Sequence, residues 1–280
     1  MLLLARGQVM DFELQRGFHF SALAAQLFSA QGNPVGLVEA LSVVNYTASS
    51  LGLPDARQGR EDLLALLEDG AAGHAVHALG LNYLGVSAFW ENDFQASAHA
   101  LESAVMLSQV SHGGPAMLQP LVNASFLEVL SLSKLVRQHQ DWGDGAKLVK
   151  LVAAAQTASN QWYSQLPERR TALIGTVLLL FVSCIAAIRD GKLVDACRHH
   201  QACLEIVNQL PRHCWLRAIT WWARAELAAS HDDCRQAVVA AGAMRIAARV
   251  GQHQRLEVVA GEMELHYRTS SRLRGAGEVL

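Results

Sequence analysis

The sequence predicts an all-α protein: an α-solenoid of about five antiparallel helix pairs closed by a C-terminal capping helix, in a single domain over residues 1–280. Three observations predict it. The composition is 51% apolar, dominated by Ala and Leu, with only six prolines and no strand-like runs of β-branched residues. Apolar residues recur at helical spacing over long stretches, and Gly, Pro, Asn and Asp punctuate them. Residues 81–111, LNYLGVSAFWENDFQASAHALESAVMLSQVS, read as two helices joined by a short turn. Gly85, Ala88 and Ser97 let those helices approach, and Leu81, Leu84, Leu101 and Val105 fill the seam. One such pair cannot bury its apolar face alone, so neighbours must stack on it.

The elements follow in order. A first helix spans about Phe12 to Ala30 and stops at Gln31-Gly32-Asn33-Pro34, where Gly suits a C-cap and Pro the first turn of the next helix. That next helix, about Val35 to Leu51, has Leu37, Leu41, Val44 and Ala48 at helical spacing and closes at Gly52-Leu53-Pro54. A short helix over Glu61–Leu67 precedes breaks at Gly70 and Gly73. The central pair runs from Ala75 to Val110 around Asn92-Asp93 and ends at Gly113-Gly114-Pro115. Leu118 to about His139 and Ala146 to about Ser159 form another pair around Asp141-Trp142-Gly143-Asp144-Gly145. An apolar helix from Arg169 to Arg189 turns at Asp190-Gly191-Lys192 into a helix from Leu193 to about Gln209. In it Leu193, Ala196, His200 and Cys203 occupy places like those of Phe94, Ser97, Leu101 and Ala104. Trp215–Ser230 and Ala237–Val250 flank His231-Asp232-Asp233, and a last helix from about Arg255 to Arg274 caps the series.

The central pair resembles the tetratricopeptide repeat, whose pattern is W-x2-L-G-x2-Y, a turn, then A-x3-F. Leu81 stands in the Trp place, Leu84-Gly85 matches, Ala88 replaces the Tyr, and Ser97 and Leu101 take the Ala and Phe places. Turns near Gly32, Asn92, Gly143, Gly191 and Asp232 are irregularly spaced, the later ones about 40 to 50 residues apart against 34 in the strict repeat. Long Ala/Leu-rich arrays of this kind resemble the regulatory regions of bacterial GGDEF diguanylate cyclases and LuxR-type transcription regulators, and LGVSAFWENDFQASAHALESAV is similar to both. No GG[DE]EF string and no terminal helix-turn-helix is readable. The resemblance implies a scaffold or regulatory input module of a bacterial signalling protein.

Composition narrows the function classes. A net charge of -2 with scattered Lys and Arg carries no nucleic-acid signature, which needs concentrated positive charge. Five cysteines, an odd number without framework spacing, read as reduced thiols of a cytoplasmic protein, and MLLLAR is too short an apolar run for a signal peptide. Residues 171–188, TALIGTVLLLFVSCIAAI, are uncharged and at the lower limit for spanning a bilayer; Thr171, Gly175, Thr176 and Ser183 and the lack of an aromatic belt read them as a buried core helix. No phosphate-cradling Gly loop, HExxH or G-x-S-x-G elbow is present, so neither an enzyme nor a cofactor is expected.

Three clusters are candidate sites. In Trp215-Leu-Arg217-Ala-Ile-Thr-Trp221-Trp222-Ala-Arg224, Trp215, Ile219 and Trp222 share a core face, while Arg217, Trp221 and Arg224 share another. Arg beside an exposed Trp makes a cation–π platform suited to a carboxylate-bearing ligand. Asn82, Ser87 and Trp90, with Glu91 at the turn, form a second face, on which Asn82 would clamp a peptide backbone. Cys197, His199, His200 and Cys203, with His213-Cys214, have helical ligand spacing but no CxxC pair, and packing is the expected role; the His74/His77 pair is weaker still. The expected function is therefore binding of a protein or peptide in a concave groove lined by Arg217, Trp221, Arg224, Asn82 and Trp90. The alternative is a small-molecule sensor whose apolar interior lies around Leu178–Ile185.

Overall fold

The computed structural model describes all residues except 11–12, 71–72, 111–117, 132–144, 163–168, 211–212 and 278–280. Among the described residues it is all-helical. The helices are α1 (Leu2–Met10), α2 (Leu14–Ala30), α3 (Pro34–Leu51), α4 (Ala56–Glu68), α5 (His74–Trp90), α6 (Phe94–Val110), α7 (Leu118–Ser131), α8 (Gly145–Trp162), α9 (Arg169–Arg189), α10 (Leu193–Asn208), α11 (Cys214–Ser230), α12 (Cys234–Val250) and α13 (Gln254–Gly277). They pack in adjacent pairs, α2 with α3, α5 with α6, α7 with α8, α9 with α10, α11 with α12, and α13 against α12. No helix among the described residues is long and apolar enough to cross a membrane.

One three-residue connector recurs. Gln31-Gly32-Asn33, Glu91-Asn92-Asp93, Asp190-Gly191-Lys192, His231-Asp232-Asp233 and Gly251-Gln252-His253 each put the middle residue in the left-handed region, with φ between 57° and 72°. In each, the third residue's N–H donates back across the turn, as Asn33 to Phe28, Asp93 to Ala88, Lys192 to Ala187, Asp233 to Ala228 and His253 to Ala248, at 2.9–3.0 Å. This bond satisfies a helix-end carbonyl in the Schellman manner. The same third residue then caps the next helix: Asn33 Oδ1 accepts from Gly36 N–H at 3.0 Å, Asp93 Oδ1 from Ala96 at 3.2 Å and Asp233 Oδ1 from Gln236 at 2.9 Å. The Gly143 turn expected between α7 and α8, and the helical stretch expected up to His139, lie outside the described residues.

Small side chains stand where paired helices cross. Ser97 Oγ donates to the Gly85 carbonyl at 2.6 Å, and a Cβ on Gly85 would lie 2.5 Å from Leu101 Cγ. At the matching place in the α9–α10 pair, the Cys184 thiol donates to the Ala196 carbonyl at 3.4 Å. Two elements exceed the sequence expectation. Residues 2–6 of the opening MLLLAR belong to α1, which packs on α2 and anchors to α3 through Arg6–Glu39 at 3.2 Å. Helix α4 starts at Ala56, five residues earlier than the short apolar run, and Asn45 of α3 bonds the Ala56 carbonyl at 3.4 Å.

Between α5, α7, α9 and α11 runs a column of rings. Trp90 meets Phe126 at 6.4 Å, Phe126 meets Phe181 at 5.4 Å, and Phe181 meets Trp222 at 5.7 Å. All four are buried. At its α5 end Trp90 also receives His253 edge-on at 4.7 Å, and Gln254 packs over Gly52. The N-terminal end of α13 thus meets the C-terminal ends of α3 and α5.

Candidate functional site

Helix α11 is apolar nearly all round, because it lies between α9, α10 and α12. Trp215, Ile219, Trp222, Ala225 and Leu227 are buried, and Trp222 Nε1 donates to Glu226 at 3.4 Å. One narrow stripe stays open. Arg217 is half-buried, Arg224 is exposed, and between them Trp221 keeps 39% of its surface. The spacing that put these three residues on one face does so in the structure. Arg217 Nε is buried without a hydrogen-bond partner in the protein. The Arg224 end borders α10: burial and then the Arg224 charge lower the pKa of His200 below the usual histidine value. A guanidinium on each side of a half-exposed indole is an arrangement that binds carboxylate and flat apolar groups together.

Asn82 and Trp90 lie elsewhere. Asn82 is 1% exposed and accepts a hydrogen bond from Asn123 at 2.9 Å, joining α5 to α7. Trp90 is 4% exposed within the ring column. Both side chains pack between helices rather than lining an open groove, because Asn123 of α7 takes up Asn82 and the rings of Phe126 and His253 close over Trp90. Ser87 is buried, and Glu91 is held by Ser49 Oγ at 2.7 Å and Arg60 at 3.4 Å.

The Cys/His cluster divides by face. Cys203 and His200 are buried and Cys203 donates to the Val177 carbonyl at 3.6 Å, whereas Cys197 is exposed. Burial pushes the thiols of Cys184 and Cys203 up to about 12. Among the described residues no group of three or more His, Cys, Asp or Glu side chains is placed to hold a metal ion. The segment Leu178–Ile185 is packed, with Phe181, Val182 and Cys184 fully buried. A cavity of about 230 Å³ lies beyond it, between Leu148, Val152 and Gln156 of α8 and Ala186 and Arg189 of α9.

His253 and Arg255 escaped the sequence reading. His253 fills the capping place held elsewhere by Asn or Asp, and its Nδ1 accepts from the Leu256 N–H at 3.1 Å. The proton therefore sits on Nε2, which is buried without a partner in the protein. Burial lowers its pKa from 6.5 to about 3. The signal was the match of Gln252-His253 to Asn92-Asp93 and Asp232-Asp233 as turn and cap.

What the geometry defines is a helical protein with a cationic, aromatic stripe on one helix. No protein-family model, curated protein or solved structure matches the chain. The tetratricopeptide likeness accordingly rests on this chain's own residues.

Proposed function

We propose that the five helix pairs and α13 form a short α-solenoid of the tetratricopeptide kind, and that it is a protein- or peptide-binding module, the scaffold or regulatory input part of a cytoplasmic bacterial signalling protein. The observation that carries the binding role is Trp221, an indole left 39% exposed on a helix that otherwise buries its large apolar residues. Such rings, desolvated by a partner, dominate binding energy at interfaces. The recurring connector supports the repeat reading, since each turn presents a similar hairpin to the next. The partner seat is the α11 stripe rather than a central groove. Capture of partners from host lysate by wild type beside Trp221→Ala/Arg224→Ala tests this. A partner held by wild type and lost by a folded double variant supports the module; equal retention by both removes the stripe from the binding role.

The small-molecule alternative has one observation in its favour, the cavity along α8 and α9. At about 230 Å³ it is smaller than the ~300–1,000 Å³ typical of ligand pockets. A thermal shift with an apolar metabolite, abolished by Val152→Trp, would favour that reading.

A further inference from the structure

The arginines divide along the chain. In α1–α10 every arginine whose side chain is described faces a carboxylate: Arg6, Arg16, Arg57, Arg60, Arg189 and Arg198. In α11–α13, Arg245, Arg249 and Arg268 are paired as well. Arg217, Arg224, Arg235 and Arg255 have no carboxylate at ion-pair distance among the described residues. Arg235 stands on α12, not on α11 or α13. The other three remain. Arg217 stands about one turn inside α11 and Arg255 is the second residue of α13, and the start of α11 adjoins the turn that leads into α13: a Cβ on Gly251 would lie 3.1 Å from Cys214 Cβ. Both are half-buried, and the Nε of each is buried without a partner in the protein. A guanidinium held partly out of water gains more from a carboxylate than one in bulk solvent. Among the described residues the chain thus leaves two arginines without a carboxylate on either side of the half-exposed Trp221 along α11, and a third, Arg255, at the start of the adjoining α13.

From this complementarity we infer that the α11–α13 surface binds an acidic segment of a partner protein, with carboxylates on Arg217, Arg224 and Arg255 and an apolar or aromatic residue against Trp221. The inference rests on the partner-binding reading and specifies its chemistry. It excludes a basic or purely apolar partner, and it makes binding weaken with salt.

The test is an array of short random-sequence peptides, probed with wild type, Trp221→Ala and the triple variant Arg217→Gln/Arg224→Gln/Arg255→Gln, with phosphatidylserine vesicles as a separate arm. Melting curves first establish that the variants are folded; if the triple variant is not, Arg224→Gln, fully on the surface, replaces it. The expected result is Asp and Glu enrichment among the peptides that wild type retains. The triple variant loses that enrichment and binds the retained peptides at least about tenfold more weakly. Trp221→Ala weakens binding without changing the charge preference. Enrichment of basic or uncharged apolar peptides, the same acidic preference in the triple variant, no enrichment at all, or binding to the vesicles alone would each overturn the inference. A lysate partner that depends on Trp221 yet binds without salt dependence would overturn it too, while leaving the partner-binding reading in place.

Discussion

Acid is expected to destabilise this protein through His253. In the native state its imidazole is neutral, buried against Trp90, and committed as an acceptor to the Leu256 N–H at 3.1 Å. Protonation would remove the acceptor and place a charge in a site where burial holds the pKa near 3, against 6.5 when the group is free. A depressed native pKa means that the unfolded chain binds the proton first. The stabilising contribution is therefore complete above 6.5 and is lost progressively as pH falls from 6.5 toward 3. At pH 5 the loss is about 2 kcal/mol, a sizeable fraction of a typical domain's stability. Urea denaturation of wild type and His253→Asn at pH 7.5 and pH 5 measures it. Asn is chosen because Asn33 caps α3 from the same connector position. The variant is less stable at both pH values, having lost the ring that packs on Trp90, but its loss between them should be smaller than wild type's by about 2 kcal/mol. Parallel losses in the two proteins would refute the reasoning, since every other titrating group is common to both.

Three further outcomes follow from the packing. Gly85→Ala forces a methyl to 2.5 Å from Leu101 Cγ and 3.2 Å from the Ser97 carbonyl, and should cost about 1–3 kcal/mol in denaturation. Trp222→Ala, at a residue 1% exposed, should cost ~3–5 kcal/mol, while Trp221→Ala should cost well under half of that; similar costs would mean that the two faces of α11 are misassigned. In the native protein a thiol reagent should modify Cys197 readily and leave Cys184 and Cys203 untouched until denaturant is added, because burial both shields those thiols and pushes them up to about 12.

Local features were legible in the sequence. The close approach at Gly85, the turns at Gly32, Asn92, Gly191 and Asp232, and the division of α11 into a buried face with Trp222 and an open one with Trp221 all follow from spacing over a few residues. What was not legible depends on residues distant in sequence. Trp90 sits at a helix end beside a turn, a place that reads as surface, and it is buried because Phe126 of α7 and His253 of the α12–α13 connector arrive from distant parts of the chain. Asn82 looks like a groove residue until Asn123 is found to claim it. Helix α1 was missed because MLLLAR has no polar alternation; it holds its place through α2 and Glu39. Arg255 carries no motif, and its interest lies only in the carboxylate that it lacks.

The meeting of α13 with α3 and α5 has a consequence for how the protein comes apart. A row of hairpins that touch only their neighbours behaves as a one-dimensional array, able to fray from either end. Here Gln254 rests on Gly52 and His253 on Trp90, so the start of α13 is clasped to the ends of α3 and α5, helices far from it in sequence. Fraying from the C-terminal side strips the column of a ring, and fraying from the N-terminal side removes the seat of α13. The clasp joins residues far apart in sequence, so its loop-closure entropy makes it a late event in folding. A chain ending before Gln252 is accordingly expected to unfold over a broader range of denaturant than the full chain, hairpin by hairpin, where the clasped form lets go in a single step. Equally sharp transitions in the two forms would show that the clasp contributes no cooperativity.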